Sequence, residues 1–290
     1  MLLRKRWGMM EGVRAFGASP SVGSGAALVA LSGVEKRYQN GTVALEGIGF
    51  SVRPGEFLSI LGPSGCGKST VLRLIAGLGD VTAGTVEVGG LSPAAARKGR
   101  GEMAYVFQDA TLLPWRTVQG NVEFPLELRG VPRARRREEA REALRTVDLL
   151  TVANEYPRQL SGGMRMRVSI ARALSTRPKL LLMDEPFGAL DEITRQRLNG
   201  ELLTIAAMAG WTVIFVTHNV FEAVFLSSRV LVMSRQPGRI TGELPIDLPS
   251  PRRPEVRTSP AFTAYAGQLM GLLHTAEAGP DGEASDVARR

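Results

Sequence analysis

The sequence predicts an α/β fold built around a parallel β-sheet. Two observations support this class: short apolar strands alternate with helical patterns in the second half of the chain, and a strand, a glycine-rich loop and a helix follow one another at 57–78. Such a unit places the loop at the carboxyl end of a strand, where ligands bind in open α/β sheets. The alternating strands and helices of the second half are, in order, 180–183, 192–209, 212–217, 221–226 and 229–234.

The N-terminal part of the chain is assigned from its composition and its apolar pattern. Residues 1–27 are assigned to a mobile leader, because 11–27 are rich in glycine, serine and alanine without a regular period. Short apolar runs bounded by glycine and proline predict strands at 28–31, 48–52 and 57–61.

Helices are predicted where apolar residues recur at helical spacing. One covers 68–78 with Gly79 as its stop, one covers 132–150 after Pro132, and another begins at Ser161. After Pro249 the composition shifts to proline, arginine, glycine and alanine, so 249–290 is assigned to a C-terminal tail. Within it 262–273 is a candidate docking helix, and the residues after Ala276 are expected to be disordered.

Composition excludes several classes of protein. The 290 residues include 36 Lys+Arg and 28 Asp+Glu, a net charge of +8, and 44% are hydrophobic, which is ordinary for a globular protein. Cys66 is the only cysteine, so neither an internal disulfide nor a cysteine-based zinc site is expected. No segment approaches the roughly 20 apolar residues that span a bilayer, and 1–20 lack the apolar core of a signal peptide. We therefore expect a cytoplasmic location.

The positive charge is concentrated in an arginine-rich stretch. Residues 129–145 hold seven arginines that Glu138, Glu139 and Glu142 partly balance, a pattern typical of a solvated helix face. Contact with anionic membrane lipid is the alternative. No nucleic acid is expected as a partner, because the stretch lacks aromatic residues for base stacking and no nucleic-acid-binding module is recognisable.

The glycine-rich loop has the residues of a phosphate-binding loop. Residues 62–69 read GPSGCGKS and fit G-x-x-x-x-G-K-[ST] between a predicted strand and a predicted helix. The glycines let backbone N–H groups face phosphate oxygens, Lys68 neutralises their charge, and Ser69 is suited to Mg²⁺. A chance glycine-rich turn is the alternative, and the flanking strand and helix disfavour it. The sequence therefore predicts a P-loop NTPase core.

Two acidic residues follow the strand predicted at 180–183. Asp184 is suited to Mg²⁺, and Glu185 is suited to deprotonate the water that attacks a γ-phosphate. Acidic pairs at strand ends are more often solvated caps, but the preceding phosphate loop favours a catalytic role here.

Further motifs give the chain a resemblance to ATP-binding-cassette (ABC) ATPases over about residues 28–245. Residues 160–165, LSGGMR, resemble the family's signature motif, although Met164 replaces its usual glutamine. The other matching positions, all in family order, are Tyr38 for the adenine-stacking aromatic, Gln108 for the Q-loop, Asp191 in ALD for the D-loop and His218 for the H-loop.

Each of these residues also has a structural interpretation when it is taken alone. Taken alone, a tyrosine such as Tyr38 more often packs in a core than stacks on a base. Gln108 alone would be interpreted as a surface amide, and Ser161 alone as a helix N-cap. A simple capped helix leaves Gly162 and Gly163 unexplained, because glycine costs about 1 kcal/mol relative to alanine inside a helix.

The resemblance implies ATP and Mg²⁺ as ligands, and two ATPase subunits, as a homodimer or pseudo-dimer, that close over two ATP molecules. It implies a domain at 28–248 that combines the parallel ATP-binding core, an antiparallel β subdomain and an inserted α-helical subdomain at 109–176. The implied site residues are Glu185, His218, Gln108 and Lys68 for catalysis; Tyr38, Gly62, Pro63, Ser64, Gly65, Cys66, Gly67, Lys68, Ser69 and Thr70 for nucleotide; Leu160, Ser161, Gly162, Gly163 and Met164 for the partner's ATP; Asp191 in the D-loop; and Ser69, Gln108 and, through water, Asp184 for the metal.

Three local segments, at 111–122, 187–190 and 233–240, resemble the ATPases of nitrate, sulfonate and taurine importers. This implies uptake of a small organic anion or vitamin precursor through two transmembrane permease subunits, with an extracytoplasmic solute-binding protein. The ATPase is then peripheral on the cytoplasmic face of the inner membrane, with 113–115 expected in the permease groove. An exporter ATPase and a soluble ABC ATPase acting on nucleic acid or ribosomes are the alternatives. The single phosphate loop and the lack of heptads disfavour the latter.

Overall fold

The computed structural model describes residues 26–99, 103–188 and 190–278. Its strands are β1 (Val29–Arg37), β2 (Val43–Val52), β3 (Phe57–Leu61), β4 (Ala83–Val88), β5 (Met103–Val106), β6 (Leu180–Asp184), β7 (Thr212–Thr217), β8 (Arg229–Met233) and β9 (Ile240–Pro245). One sheet has the order β5-β6-β7-β3-β8-β9, parallel except for β9, and a second, antiparallel sheet has the order β2-β1-β4. The predicted α/β fold, with a parallel core and an antiparallel subdomain, is confirmed.

The helices lie on both sides of the larger sheet. They are α1 (Lys68–Ile75), α2 (Pro93–Lys98), α3 (Val118–Leu128), α4 (Arg133–Thr146), α5 (Gly162–Leu174), α6 (Glu192–Ala209), α7 (Val220–Leu226) and α8 (Pro260–Ala278), with short 3-10 helices at Leu150–Val152, Pro157–Gln159 and Pro254–Thr258. Helices α3, α4 and α5 follow β5 and precede β6, and they pack together through buried apolar residues such as Val122, Leu144 and Val168.

Strands β3, β6 and β7 are buried along their whole length. Successive side chains of a strand point to opposite faces of the sheet. Accordingly Phe57 and Phe215 belong to a core that includes buried residues of α3 to α8, whereas Leu58 and Ile214 belong to a core that includes α1 and the antiparallel sheet. The centre of the sheet is thus fixed from both sides, and its carboxyl edge is a rigid base for the loops that follow β3, β6 and β7.

The structure corrects one predicted boundary in the helix after the phosphate loop. Helix α1 ends at Ile75 and not at residue 78, because Gly77 (φ 64°) rather than Gly79 terminates it. The N–H of Leu78 donates to the Arg73 carbonyl at 2.9 Å, and that of Gly77 donates to the Leu74 carbonyl at 3.1 Å. These two bonds form a Schellman motif, which requires a left-handed residue at this position.

The C-terminal segment also packs onto the core. The docking helix expected at 262–273 lies inside α8, whose Phe262, Ala266 and Leu269 are buried in the same core as Val224 and Phe225 of α7. The predicted leader, apart from residues 26 and 27, lies outside the described ranges, as do 279–290 of the segment predicted to be disordered. Residues 277 and 278 correct that prediction, because they form the last turn of α8. No helix in these ranges has both the length and the apolar character needed to cross a bilayer.

Candidate functional site

The predicted phosphate loop connects β3 to α1. Gly65 and Gly67 have φ angles of 78° and 102°, a left-handed conformation that glycine adopts without a Cβ penalty. Within the described chain no side chain caps the N-terminus of α1, and its first turn contains no acidic residue. Free N–H groups and the positive end of a helix dipole favour an anion here. The loop therefore has the geometry of a phosphate cradle.

Gly238 packs directly against this loop. A Cβ at Gly238 would overlap the Cys66 carbonyl oxygen and would lie 3.2 Å from the Ala44 carbonyl oxygen. The Gly238 N–H donates to that Ala44 oxygen at 2.9 Å. The missing side chain thus lets β2 and the loop after β8 pack tightly against the phosphate loop.

We expect Gly238→Ala to weaken ATP binding about tenfold, or about 1.4 kcal/mol, because the added methyl group must displace the loop backbone at Cys66. The measurement is equilibrium binding of ATP. Gly200→Ala is the matched control, since a Cβ at Gly200 meets no atom within 4 Å. Unchanged ATP affinity in Gly238→Ala would contradict this packing argument.

Lys68 is buried at the base of the loop, with 4% of its surface exposed. Its Nζ donates to the Gly62 and Pro63 carbonyl oxygens, both at 2.8 Å, and lies 3.7 Å from Oε1 of Glu185. The ammonium group is therefore held between the phosphate loop and the carboxylate that follows β6.

Asp184 ends β6 and is buried beside α1. The Ser69 hydroxyl donates to its Oδ1 at 2.8 Å, and the Tyr105 hydroxyl donates to its Oδ2 at 3.1 Å. Burial raises the pKa of Asp184 although both hydrogen bonds oppose the rise. A poorly solvated carboxylate next to a hydroxyl offers the hard oxygen donors that Mg²⁺ prefers. Ser69 and Asp184 therefore fit this cation, whereas Gln108 lies exposed in the loop after β5.

Glu185 has a left-handed backbone, with φ 45°, which is strained for a residue with a side chain. Its N–H donates to the Val216 carbonyl at 3.0 Å, which ties it to the end of β7. Its Oε2 lies 2.8 Å from Nδ1 of His218. The fold thus brings Lys68, Glu185 and His218 together at one edge of the sheet, and strain of this kind is typical of functional sites.

Tyr38 lies at the end of β1 near the phosphate loop. The residue is 42% exposed, and its hydroxyl lies 3.3 Å from Oγ1 of Thr70. Nζ of Lys36 is 5.5 Å from the ring centroid. The structure therefore places an accessible aromatic face beside α1, as a base-stacking residue requires.

The segment 160–164 forms the N-terminus of α5. Leu160 is buried, and Ser161 caps the helix by accepting a hydrogen bond from the Met164 N–H at 3.2 Å. A Cβ at Gly163 would lie 2.9 Å from Leu190, whereas one at Gly162 would meet only Arg165, at 3.9 Å. Local packing thus accounts for Gly163 but gives no reason for glycine at 162. Among the described residues no hydrogen bond or ion pair joins this segment to the phosphate loop.

Asp191 is the N-cap of α6. Its carboxylate accepts a hydrogen bond from the Thr194 N–H at 3.0 Å, and this bond lowers the pKa of Asp191. Of the predicted D-loop, Ala189 lies outside the described residues.

Sequence reasoning missed several residues around this site. Tyr105 was not predicted as a site residue, yet its hydroxyl donates to Asp184 because β5 pairs with β6. Glu222, which accepts a hydrogen bond from Thr217 at 2.6 Å, and Gly238 carried no signal that set them apart as neighbours of the site.

Taken together, the phosphate cradle, the Ser69–Asp184 pair and the Glu185–His218 pair define a P-loop NTPase.

Residues 45–188 match the model of the ABC transporter family. The chain is 44% identical to the nitrate import ATP-binding protein of Synechocystis sp., over 81% of this chain and 90% of that protein. It is 47% identical to the taurine import ATP-binding protein of Chromobacterium violaceum, over 78% and 88%. It is 44% identical to an aliphatic sulfonates import ATP-binding protein of Agrobacterium fabrum, over 90% and 95%. The chain belongs to the ABC transporter ATP-binding proteins.

A solved structure of an ATP-binding cassette is also similar to this chain. A dimeric ATP-binding cassette in a post-hydrolysis state, bound to ADP and Pi, aligns with a TM-score of 0.68 and 34% identity, over 75% of this chain and 98% of that chain. The predicted family, fold and ATPase class are confirmed.

Proposed function

We propose that this chain is the ATP-hydrolysing subunit of an ABC importer for a small solute of the nitrate, sulfonate or taurine type, or a related organic anion or vitamin precursor. The observation that carries the catalytic part is the convergence of Lys68, Glu185 and His218 beside the Ser69–Asp184 pair. The direction of transport rests on the relatives, each named for import and each covered over most of its length.

In this proposal the phosphate loop, residues 62–70, binds the ATP phosphates through its N–H groups and Lys68. Tyr38 stacks on the adenine ring. Ser69, Gln108 and, through water, Asp184 would hold Mg²⁺, which would neutralise negative charge on the ATP phosphates.

Glu185 is the general base. Its carboxylate takes a proton from water while the water oxygen bonds to the γ-phosphorus and the bond to the bridging β,γ-oxygen breaks, giving ADP and Pi. In the structure Lys68 and His218 both contact this carboxylate. We expect both to turn toward γ-phosphate oxygens when ATP binds, which frees a Glu185 oxygen for the water.

A second copy of the chain, or a closely similar subunit, completes the site. Ser161 and Gly162 are exposed at the N-terminus of α5, where N–H groups and the helix dipole suit a phosphate of the partner's ATP. The absence of a local reason for glycine at 162 supports this role. Asp191 is proposed to lie in the same interface.

The remaining partners are two transmembrane permease subunits and an extracytoplasmic solute-binding protein, with the ATPase on the cytoplasmic face of the inner membrane. Trp115 is 71% exposed, yet the buried Asn121 side chain holds its loop in place. The Asn121 side chain accepts a hydrogen bond from the Leu113 N–H and donates to the Leu113 carbonyl. It also donates to the carbonyls of Arg116 and Thr117. A large exposed aromatic on a fixed loop is suited to anchor a partner.

Mild-detergent purification of the tagged chain from its native cells tests the proposal. Mass spectrometry is expected to identify a multi-spanning permease together with an exported solute-binding protein. Recovery with ribosomes or nucleic acid, and without membrane protein, would overturn the import role while leaving the ATPase chemistry in place.

We expect Trp115→Glu to reduce recovery of the permease at least about tenfold, because the introduced charge must be desolvated at the interface. ATP hydrolysis by the isolated chain should not change, since Trp115 lies outside the catalytic cluster. Leu91→Glu, at another exposed apolar residue, is the control. Normal assembly and transport with Trp115→Glu would count against this anchor.

A further inference from the structure

The helix that follows His218 is held by the C-terminal segment. Helix α7 begins at Val220, directly after its N-cap Asn219. The Asn219 side chain accepts hydrogen bonds from the Phe221 and Glu222 N–H groups at 2.9 and 3.2 Å. The position of α7 therefore sets the backbone from which His218 extends.

Arg252 binds the C-terminal end of α7. Its Nη1 donates to the carbonyl oxygens of Val224, Phe225 and Ser227 at 3.1, 2.9 and 2.8 Å. Carbonyl groups at the end of a helix lack partners within the helix, and the dipole favours a cation there. Burial lowers the pKa of Arg252 to about 10, so the guanidinium stays charged at neutral pH.

Two further side chains of the C-terminal segment contact α7. The Arg257 guanidinium lies 3.8 Å from the centroid of the Phe225 ring, a cation–π contact. Phe262 stacks on Phe221, with centroids 6.3 Å apart and 12° between the ring planes. We refer to Arg252, Arg257 and Phe262 as the C-terminal clamp.

A buried polar cluster links α7 to the residues around the hydrolytic centre. Glu222 is 5% exposed, and its Oε2 accepts the Thr217 hydroxyl, next to His218, at 2.6 Å. Its Oε1 has no hydrogen-bond partner among the described residues and lies 3.8 Å from Nε of Arg195. Arg195 in turn donates to two carbonyl oxygens of the segment after Glu185, at 3.3 and 2.8 Å.

Arg257 lies near this cluster, over the ring of Phe225 in α7. Its Nη2 is buried and has no hydrogen-bond partner in the described chain, and burial lowers the pKa of Arg257, while the nearby carboxylates of Glu192 and, more weakly, Glu222 oppose this. The C-terminal segment thus supplies one cation to the carbonyl groups at the end of α7 and a second to the ring of Phe225 in the same helix.

We propose that Arg252 and Arg257 are positioning residues for ATP hydrolysis. By fixing α7, they hold His218 in the position that hydrolysis requires. Because Glu222 of α7 lies beside Arg195, they also help to hold the segment after Glu185. This inference rests on the proposed role of His218 in the ATPase site. It gives the C-terminal segment a function in catalysis that is separate from nucleotide binding.

The test compares Arg257→Met and Arg252→Met with Arg253→Met, a control at an exposed neighbour. Each purified variant is assayed for ATP hydrolysis, equilibrium ATP binding and thermal unfolding. We expect kcat to fall about tenfold in both clamp variants, with KM and ATP affinity within about twofold of the wild type. Arg257→Lys keeps a cation over Phe225 and is expected to restore most of the activity.

Histidine signals give a second, independent readout. The chain has two histidines, His218 and His274, so NMR of labelled histidine rings, with His274→Gln for assignment, reports on His218 directly. In Arg257→Met the His218 ring signal is expected to shift or broaden.

The outcomes distinguish a failure of the proposed role of His218 from a failure of the proposed role of Arg252 and Arg257. If His218→Ala hydrolyses ATP normally, the proposed role of His218 fails, and the clamp proposal fails with it. If His218→Ala is impaired while the clamp variants keep wild-type kcat and an unchanged His218 signal, only the clamp proposal fails. A parallel loss of kcat, ATP affinity and thermal stability in both clamp variants would assign them a structural role and would overturn the proposal too.

Discussion

Glu185→Gln is expected to lower kcat for ATP hydrolysis about a thousandfold, within the range for loss of a general base. The amide has nearly the same shape and retains a hydrogen-bonding oxygen for His218, but it does not accept a proton from water. ATP affinity should stay within about twofold or increase, because the substitution removes a negative charge near the phosphates. Phosphate release and equilibrium ATP binding are the two measurements.

Glu87→Gln is the matched control for this substitution. Glu87 is exposed on β4, so the same change in charge there should leave both measurements at their wild-type values. Wild-type hydrolysis by Glu185→Gln would exclude Glu185 as the base, and a parallel loss of ATP binding would show that Glu185 mainly supports the phosphate loop.

Lys68→Ala is expected to weaken ATP binding about a hundredfold, or about 2.7 kcal/mol. Hydrogen bonds from a charged group contribute about 1.5–3 kcal/mol, and Lys68 is the buried cation of the phosphate loop. Hydrolysis at subsaturating ATP should fall by at least the same factor. The binding measurement is titration with ATP in the presence of Mg²⁺.

Lys98→Ala, at an exposed lysine of α2, controls for the loss of one positive charge from the protein. Thermal unfolding of Lys68→Ala shows whether the Gly62 and Pro63 carbonyls, which lose their donor, destabilise the loop. An ATP affinity for a folded Lys68→Ala equal to that of the wild type would contradict the proposed phosphate contact.

The fold was predictable where the hydrophobic pattern is strong. The bounds of β3, α6 and β7 coincide with the predicted ones, because their apolar residues are buried on continuous faces. Strands β4 and β9 were missed, since both lie at sheet edges. Strand β4 buries only Val86 and Val88, and β9 alternates half-buried and exposed positions. Helix α3 was missed because Gly120, Asn121 and Pro125 give it low intrinsic helix propensity, and buried contacts stabilise it instead.

The candidate site was predictable in its residue types but not in its pairings. Motif spacing identified Lys68, Asp184, Glu185 and His218, whereas their contacts depend on the order of β6, β7 and β3 in the sheet. Phe262 of the C-terminal clamp lies in the predicted docking helix, but Arg252 and Arg257 gave no sequence signal, because they stand in a short, polar, proline-rich stretch. Only the packing of α8 against α7 brings them to the helix that follows His218.

In the proposed mechanism two copies of this ATPase close over ATP, and each copy faces the other's segment at 160–164. Sedimentation velocity of Glu185→Gln with ATP and Mg²⁺ tests it most directly, because a site that binds ATP without turnover should remain closed. We expect a dimer that forms only with ATP and Mg²⁺ and that is lost when Ser161→Arg is added to the same chain. A variant that binds ATP yet sediments as a monomer at every protein concentration would contradict it.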